Sequence, residues 1–242
     1  MSDQLKTQES SATGLAQPLY APIKRRSFFM YAGATAGATA LLLSGCDDKD
    51  EVTPTMAAGT ISLGSGDVGV LNYAYALEQL EAAFYAQVVK TPATDFKAGE
   101  LDDFKQVAAH EASHRAFFKA ALVNVAKVTP IPGLTPDFSK ITFTSRASVL
   151  NAARDFEDLG VAAYNGAGKL LKTPDFLVLA GKIVSVEARH AAYVRDLITP
   201  GSFSADDQVD ANGLDKAMTP AEVLTAAGGF IKEKLNADSV GK

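Results

Sequence analysis

Residues 104–118 read FKQVAAHEASHRAFF and residues 180–194 read AGKIVSVEARHAAYV. In steps of three and four, the first stretch belongs to a stripe of Phe104, Val107, Glu111, His114, Phe118, Ala121 and Val125. The second gives Ala180, Ile183, Glu187, His190, Val194 and Leu197. Each is the apolar stripe of an amphipathic helix, interrupted at its middle by Glu-x-x-His. Spacing i, i+3 puts both side chains of each pair on one face. With ten Glu and three His in 242 residues, about 0.1 such pairs are expected by chance, so two of them at matching places on separate stripes mark a site.

Two further stripes carry a carboxylate at the same depth. Residues 71–85 give Leu71, Ala74, Glu78, Glu81 and Tyr85, and residues 150–164 give Leu150, Ala153, Glu157, Gly160 and Tyr164. A buried carboxylate is costly unless it is paired or bound to a metal. Four helices that converge on Glu78, Glu111, His114, Glu157, Glu187 and His190 therefore predict a two-metal carboxylate centre in the middle of a bundle. Oxygen and imidazole donors suit Fe or Mn. The halves repeat: Glu78-x-Leu80-x-x-Ala83-x-Tyr85 matches Glu157-x-Leu159-x-x-Ala162-x-Tyr164, and Glu111-Ala112-x-His114 matches Glu187-Ala188-x-His190. The repeat favours Glu78 as the ligand from the first helix. Glu81 stays as the alternative or as a neighbour, together with His110, Tyr85 and Tyr164.

Working outward, the helical pattern runs from Asp67, read as an N-cap, to Val89, from Glu100 to Lys127, from Thr144 or Ser145 to Leu171, and from Thr173-Pro174 to Ile198. Thr219-Pro220-Ala221-Glu222 reads as a capping box that opens a fifth helix to about Leu235. Only Ile141–Thr144 hints at a strand. The first and last connections are short, so their helices form antiparallel hairpins. The middle one, 128–143, is long enough to cross the whole bundle. The expected fold is all-α: two antiparallel hairpins with a long crossover over residues 67–198, then a linker and short helix over 199–242 packed on the bundle.

The first 66 residues read as an address and a tether. Arg25-Arg26-Ser27-Phe28-Phe29 precedes a 16-residue uncharged run from Phe28 to Leu43, too short for a membrane span. Leu43-Ser44-Gly45-Cys46 follows. The order fits a twin-arginine export signal ending in a bacterial lipobox. Residues 1–46 are then a signal peptide with Cys46 the lipidated first residue of the mature chain, and 47–66 a flexible acidic tether. Localisation would be the periplasmic face of a bacterial membrane, inner or outer, through a lipid anchor. Cys46 is the only cysteine, so no disulfide forms within the chain.

Composition agrees. Hydrophobic residues are 47% and charged residues 21% of the chain, which excludes a disordered or collagen-like chain. Residues 47–242 carry 19 Lys and Arg against 26 Asp and Glu, no footprint for nucleic acid.

These residues resemble the ferritin-like superfamily. Leu77-Glu78-Gln79-Leu80-Glu81-Ala82-Ala83-Phe84-Tyr85, with the C-terminal Thr219-Pro220-x-Glu222-Val223-Leu224, is similar to bacterial exported ferritin-like domain proteins, a group that includes desiccation-related proteins. The resemblance implies a ferritin-like four-helix bundle, a di-iron or di-manganese site on the six positions above, and oxygen or peroxide as substrate in Fe(II) oxidation or peroxide detoxification under oxidative or desiccation stress. It leaves open a non-catalytic, stress-protective bundle with a structural or lost metal site. His110-Glu111-Ala112-Ser113-His114 also matches the His-Glu-x-x-His zinc metalloprotease signature. Its repeat partner has Val186 in place of His110, and no strand stands ready for an extended substrate.

Overall fold

The computed structural model describes residues 59–242. Arg25, Arg26, Cys46 and the tether before residue 59 lie outside the described residues. Five α-helices follow a three-residue strand: β1 (Thr60–Ser62), α1 (Gly66–Lys90), α2 (Glu100–Ala120), α3 (Arg146–Gly168), α4 (Pro174–Ile198), α5 (Pro220–Ala227) and β2 (Lys234–Asn236). The main chain of α2 continues through a π-turn, Ala121–Val125. Among the described residues no helix is long and apolar enough to cross a membrane.

The architecture is the all-α bundle expected. Helices α1 and α2 pack as one pair, and α3 and α4 as the other. Arg146, at the start of α3, donates to both oxygens of Glu100 at the start of α2 (2.6–3.1 Å) and to the Leu197 carbonyl at the end of α4 (3.1 Å). Those three termini therefore share one end of the bundle, and the connection after α2 must run its full length. Two buried polar residues of α1 hold that connection. Asn72 Oδ1 accepts from the Ile131 N–H (3.1 Å) and Gln79 Oε1 from the Leu134 N–H (2.9 Å). Their burial is tolerated because each meets backbone groups that would otherwise lack partners. Phe138 of the crossover and Phe230 after α5 cover the same flank, edge-on to Phe84 and Phe156.

Several boundaries differ from the expectation. Asp67 does not cap its own helix; Ser65 holds that position. The Asp67 carboxylate instead accepts from the N–H groups of Lys172 (2.8 Å) and Thr173 (2.9 Å) and so holds the entry to α4. Burial acts against its charge, but these bonds keep its pKa below the ordinary carboxylate value. The capping box of α5 is present: Thr219 and Glu222 bond each other's backbone N–H. That helix ends at Ala227, not near Leu235, because Gly228-Gly229 interrupts it. Residues 234–236 then pair in parallel with 60–62, in the register Ile61↔Leu235. Thr60–Ser62, part of the stretch read as tether, is thus paired, whereas Ile141–Thr144 forms no strand.

A tight contact fixes the C-terminal segment. The Met218 N–H donates to the Ala162 carbonyl (2.9 Å), and Asn165 Nδ2 to the Lys216 carbonyl (2.9 Å). A Cβ on Gly166 would lie 1.7 Å from the Met218 carbonyl oxygen, so only glycine admits this approach. Gly166→Ala gains some helix propensity, yet overpacking at such a site costs about 1–3 kcal/mol. Thermal unfolding should show a net fall of several degrees; an unchanged midpoint would mean that 216–218 does not stay docked.

Candidate metal centre

The four long helices each bring one glutamate to the same depth of the bundle. Glu78, Glu111, Glu157 and Glu187 are 0% exposed, and His190 is 6% exposed. The His114 side chain is 12% exposed. The two imidazoles sit among the carboxylates in matching ways. His114 Nδ1 lies 2.7 Å from Glu187 Oε1, 3.5 Å from Glu111 Oε2 and 3.6 Å from Glu78 Oε2. His190 Nδ1 lies 2.9 Å from Glu111 Oε1, 3.4 Å from Glu187 Oε2 and 3.5 Å from Glu157 Oε2. Glu111 and Glu187 thus each turn one oxygen to one imidazole and the second oxygen to the other.

None of these short approaches has the direction of a hydrogen bond. Glu78 Oε2, both oxygens of Glu111, Glu157 Oε2, both oxygens of Glu187 and both Nδ1 atoms are buried without a hydrogen-bond partner. Buried polar atoms are nearly always satisfied, and eight exceptions on the six predicted ligands, with Glu81 Oε2 beside them as a ninth, require an explanation. The eight aim at shared points rather than at one another. They form two groups whose ligand atoms all lie within 4.8 Å: Glu78, Glu111, His114 and Glu187, and Glu111, Glu157, Glu187 and His190. Glu111 and Glu187 belong to both. This donor set fits a pair of cations.

The remaining oxygens of the two outer glutamates are occupied. The Tyr85 hydroxyl donates to Glu157 Oε1 and the Tyr164 hydroxyl to Glu78 Oε1. The tyrosine of each Glu-x-Leu-x-x-Ala-x-Tyr copy thus serves the glutamate of the other copy. Each such bond leaves one oxygen of Glu157 or Glu78 facing the cluster, and it orients that carboxylate as outer partners orient metal ligands.

The electrostatics express the same demand for positive charge. Burial pushes Glu78 and Glu81 well above the ordinary carboxylate value, and the charges of Glu187 and Glu111 push further. Burial takes Glu157 up to about 8 although His190 pulls the other way. Burial also opposes charge on the imidazoles, yet Glu111 and Glu187 raise His114 to about 9, and Glu111, Glu157 and Glu187 raise His190 to about 12. In the opposite direction, His114 and His190 hold Glu111 down to about 2 in spite of its burial. Without a metal, protons neutralise the cluster.

Glu81 joins neither metal-holding group. Buried at 3% exposure, it lies against Gly160, where an added Cβ would come 2.9 Å from its Oε1. The repeat aligns Glu81 with Gly160, and the structure supplies the reason: the glycine makes room for the extra carboxylate. His110 also joins neither group. Its Nδ1 is 3.0 Å from His190 Nε2, with the rings within 6° of parallel. This contact leaves His190 Nδ1 to the carboxylates. The two histidines of the His-Glu-x-x-His motif therefore do not converge on one ion, and the geometry gives the zinc protease reading no support.

Two anchors outside the cluster carry no pattern legible in the sequence. Arg195, 8% exposed, joins Asp158 (2.7–3.0 Å) to Asp207 (2.9 Å), and the Tyr193 hydroxyl donates to Asp103. Their residue types are common on helix surfaces, and only the packing of helices with the following loop pairs them.

No curated protein matches the chain. A family model of the ferritin-like domain matches residues 66–200, the span that holds all four bundle helices and every residue of the cluster. The chain belongs to the ferritin-like domain family.

Proposed function

We propose that the chain is an exported, lipid-anchored protein whose bundle holds two iron or manganese ions and uses them to oxidise Fe(II) or remove peroxide. The observation that carries the reading is the set of eight buried, unpartnered donor atoms in two groups that share Glu111 and Glu187. One ion would be held mainly by Glu78, Glu111 and His114, and the other by Glu157, Glu187 and His190, with Glu111 and Glu187 shared. Carboxylate-rich sites with one imidazole per ion favour Fe or Mn over softer metals. Bound there, a pair of ferrous ions would supply one electron each, enough with two protons to reduce dioxygen to hydrogen peroxide. The chain's own part is positional: Tyr85 and Tyr164 orient Glu157 and Glu78, His110 orients His190, and burial excludes bulk water. The test is turnover. The metal-loaded protein should consume Fe(II) with oxygen, or hydrogen peroxide, faster than the same metal free in buffer. Bound metal without turnover would assign a structural or stress-protective role instead.

The export reading rests on Arg25-Arg26, the apolar run and the Leu43–Cys46 motif. The native chain is expected in the membrane fraction, released only by detergent. Cys46→Ser should abolish lipid attachment, read as loss of the lipid mass from the purified chain; a variant that keeps the same lipid mass would place the anchor elsewhere. An anchored chain is a poor subunit for a closed storage shell, which favours turnover over iron storage.

A further inference from the structure

Among the described residues, six large hydrophobic side chains stand exposed, and four of them gather at one end of the bundle: Val123, Val125, Leu177 and Val178, each 45–65% exposed. Val123 and Val125 belong to the π-turn that continues α2, and Leu177 and Val178 lie near the start of α4. Packing puts these elements at the same end, since Val70 of α1, Phe117 of α2, Gly168 of α3 and Phe176 of α4 line one small cavity. Half-buried Leu170 and Leu171, in the connection from α3 to α4, add to the apolar surface there. Exposed apolar residues scattered singly need no explanation, but a cluster of them marks an interaction surface.

The charges around the cluster are mostly positive. Lys119, Lys127, Lys169 and Lys172 are exposed at this end, against Asp67, Asp175 and Asp238. Asp67 is engaged by the entry to α4, and Asp238 accepts from Asn236 Nδ2 (3.1 Å). The excess is small, but it reverses the balance of residues 47–242, which carry 19 Lys and Arg against 26 Asp and Glu. Aliphatic side chains among lysines match the boundary between the acyl region and the anionic headgroups of a bilayer. A second copy of the chain seated on this end would set lysines against lysines, which disfavours that pairing. Cys46 lies thirteen residues before Gly59, a reach of up to about 45 Å, and α1 with its 25 residues is about 37 Å long. A lipid on Cys46 therefore keeps this end within reach of the bilayer, where a weak contact suffices because the two are already tethered.

We propose that this end of the bundle docks on the anionic phospholipid bilayer that holds the Cys46 lipid, with Val123, Val125, Leu177 and Val178 at the acyl boundary and the four lysines at the phosphates. The inference rests on the lipid-anchor reading above and deepens it, because it states which face of the protein meets the membrane. Glu78 follows Gly66 by twelve residues, about 18 Å along α1, so the docked bundle holds its carboxylate cluster clear of the headgroups.

Nitroxide labels on the lipidated chain test this. Cys46 is the only cysteine, and with its thiol taken by the lipid an introduced cysteine is labelled alone. Val125→Cys and Val178→Cys report on the docking end, and Asp102→Cys, exposed in the first turn of α2, on the opposite end. In vesicles of phosphatidylglycerol and phosphatidylcholine, the ratio of collisions with oxygen to collisions with a water-soluble nickel chelate should be several-fold higher at 125 and 178 than at 102. The difference should shrink in pure phosphatidylcholine, and also on Lys127→Glu with Lys169→Glu, exposed substitutions that leave the helical circular dichroism unchanged. A lipidated chain whose labels at 125 and 178 are as open to the chelate as the label at 102 overturns the docking and leaves the anchor intact. A difference indifferent to both lipid charge and lysine reversal overturns the anionic partner. Protection accompanied by spin–spin broadening between labels assigns this end to a second copy and overturns the docking too. A native chain without lipid mass at Cys46 overturns the anchor reading and the docking together.

Discussion

Purified protein is expected to hold about two iron or manganese ions per chain, and its Glu111→Ala, Glu187→Ala double variant none. The size of the effect follows from sharing. Glu111 and Glu187 contribute to both groups of donors, so each truncation strips a ligand from both positions. With both gone, each position keeps one carboxylate and one imidazole, too few to compete with water for a hard divalent ion. By contrast Tyr85→Phe and Tyr164→Phe remove only orienting bonds and should weaken metal binding about 10–100-fold, the range for outer partners of metal ligands. Elemental analysis of the three variants beside the native chain measures this. Metal-free native protein would sink the proposal; metal retained in the double variant would remove Glu111 and Glu187 from the centre.

Opposite pH dependences of the metal-free and metal-loaded protein are the second large effect. A group whose pKa is raised by folding binds its proton more tightly in the folded state. The stability it contributes is full below its unfolded value and is lost as pH rises through its folded one. His114, raised from 6.5 to about 9, and His190, raised from 6.5 to about 12, act this way. Glu157, raised from 4.5 to about 8, acts in the same direction. Glu111, lowered from 4.5 to about 2, has its window at acid pH and adds no slope above pH 5. The metal-free bundle should therefore lose stability steadily from about pH 5 to pH 9, each such group contributing up to about 1.4 kcal/mol per pH unit within its window. Metal binding requires deprotonated carboxylates and neutral imidazoles, so metal affinity rises over the same range. Metal at a hundred times its dissociation constant adds about 2.7 kcal/mol, or about 5–11 °C for a chain of this length. Melting curves with and without chelator at pH 5, 7 and 8.5 should diverge as pH increases. A gap that stays constant, or a metal-free midpoint that climbs with pH, would contradict the assignment of these groups to one metal-exchanging cluster.

The reach of the sequence can be judged residue by residue. Glu111-x-x-His114 and Glu187-x-x-His190 were legible as facing pairs because helical periodicity alone assigns a residue to a face. The long connection before α3 was legible as a crossover because chain length bounds the distance it spans. The parallel pairing of 60–62 with 234–236 was not, since three-residue strands far apart in the chain have no local pattern to announce them. The hold of Asp67 on the entry to α4 was not legible for the same reason, being a contact between distant segments, whereas the end of α5 before Gly228-Gly229 does carry a local signal.

The amino-acid sequence by itself determined the helices, their apolar stripes, the order of the hairpins and the depth at which four glutamates and two histidines lie. These follow from spacing along one chain. Only the tertiary structure decided which atoms meet: that Tyr85 serves Glu157 and Tyr164 serves Glu78, that Glu81 rests against Gly160, and that His110 turns to His190. Those choices depend on register and rotamer across helix interfaces, where a shift of one turn changes every partner while leaving each helix's own pattern intact.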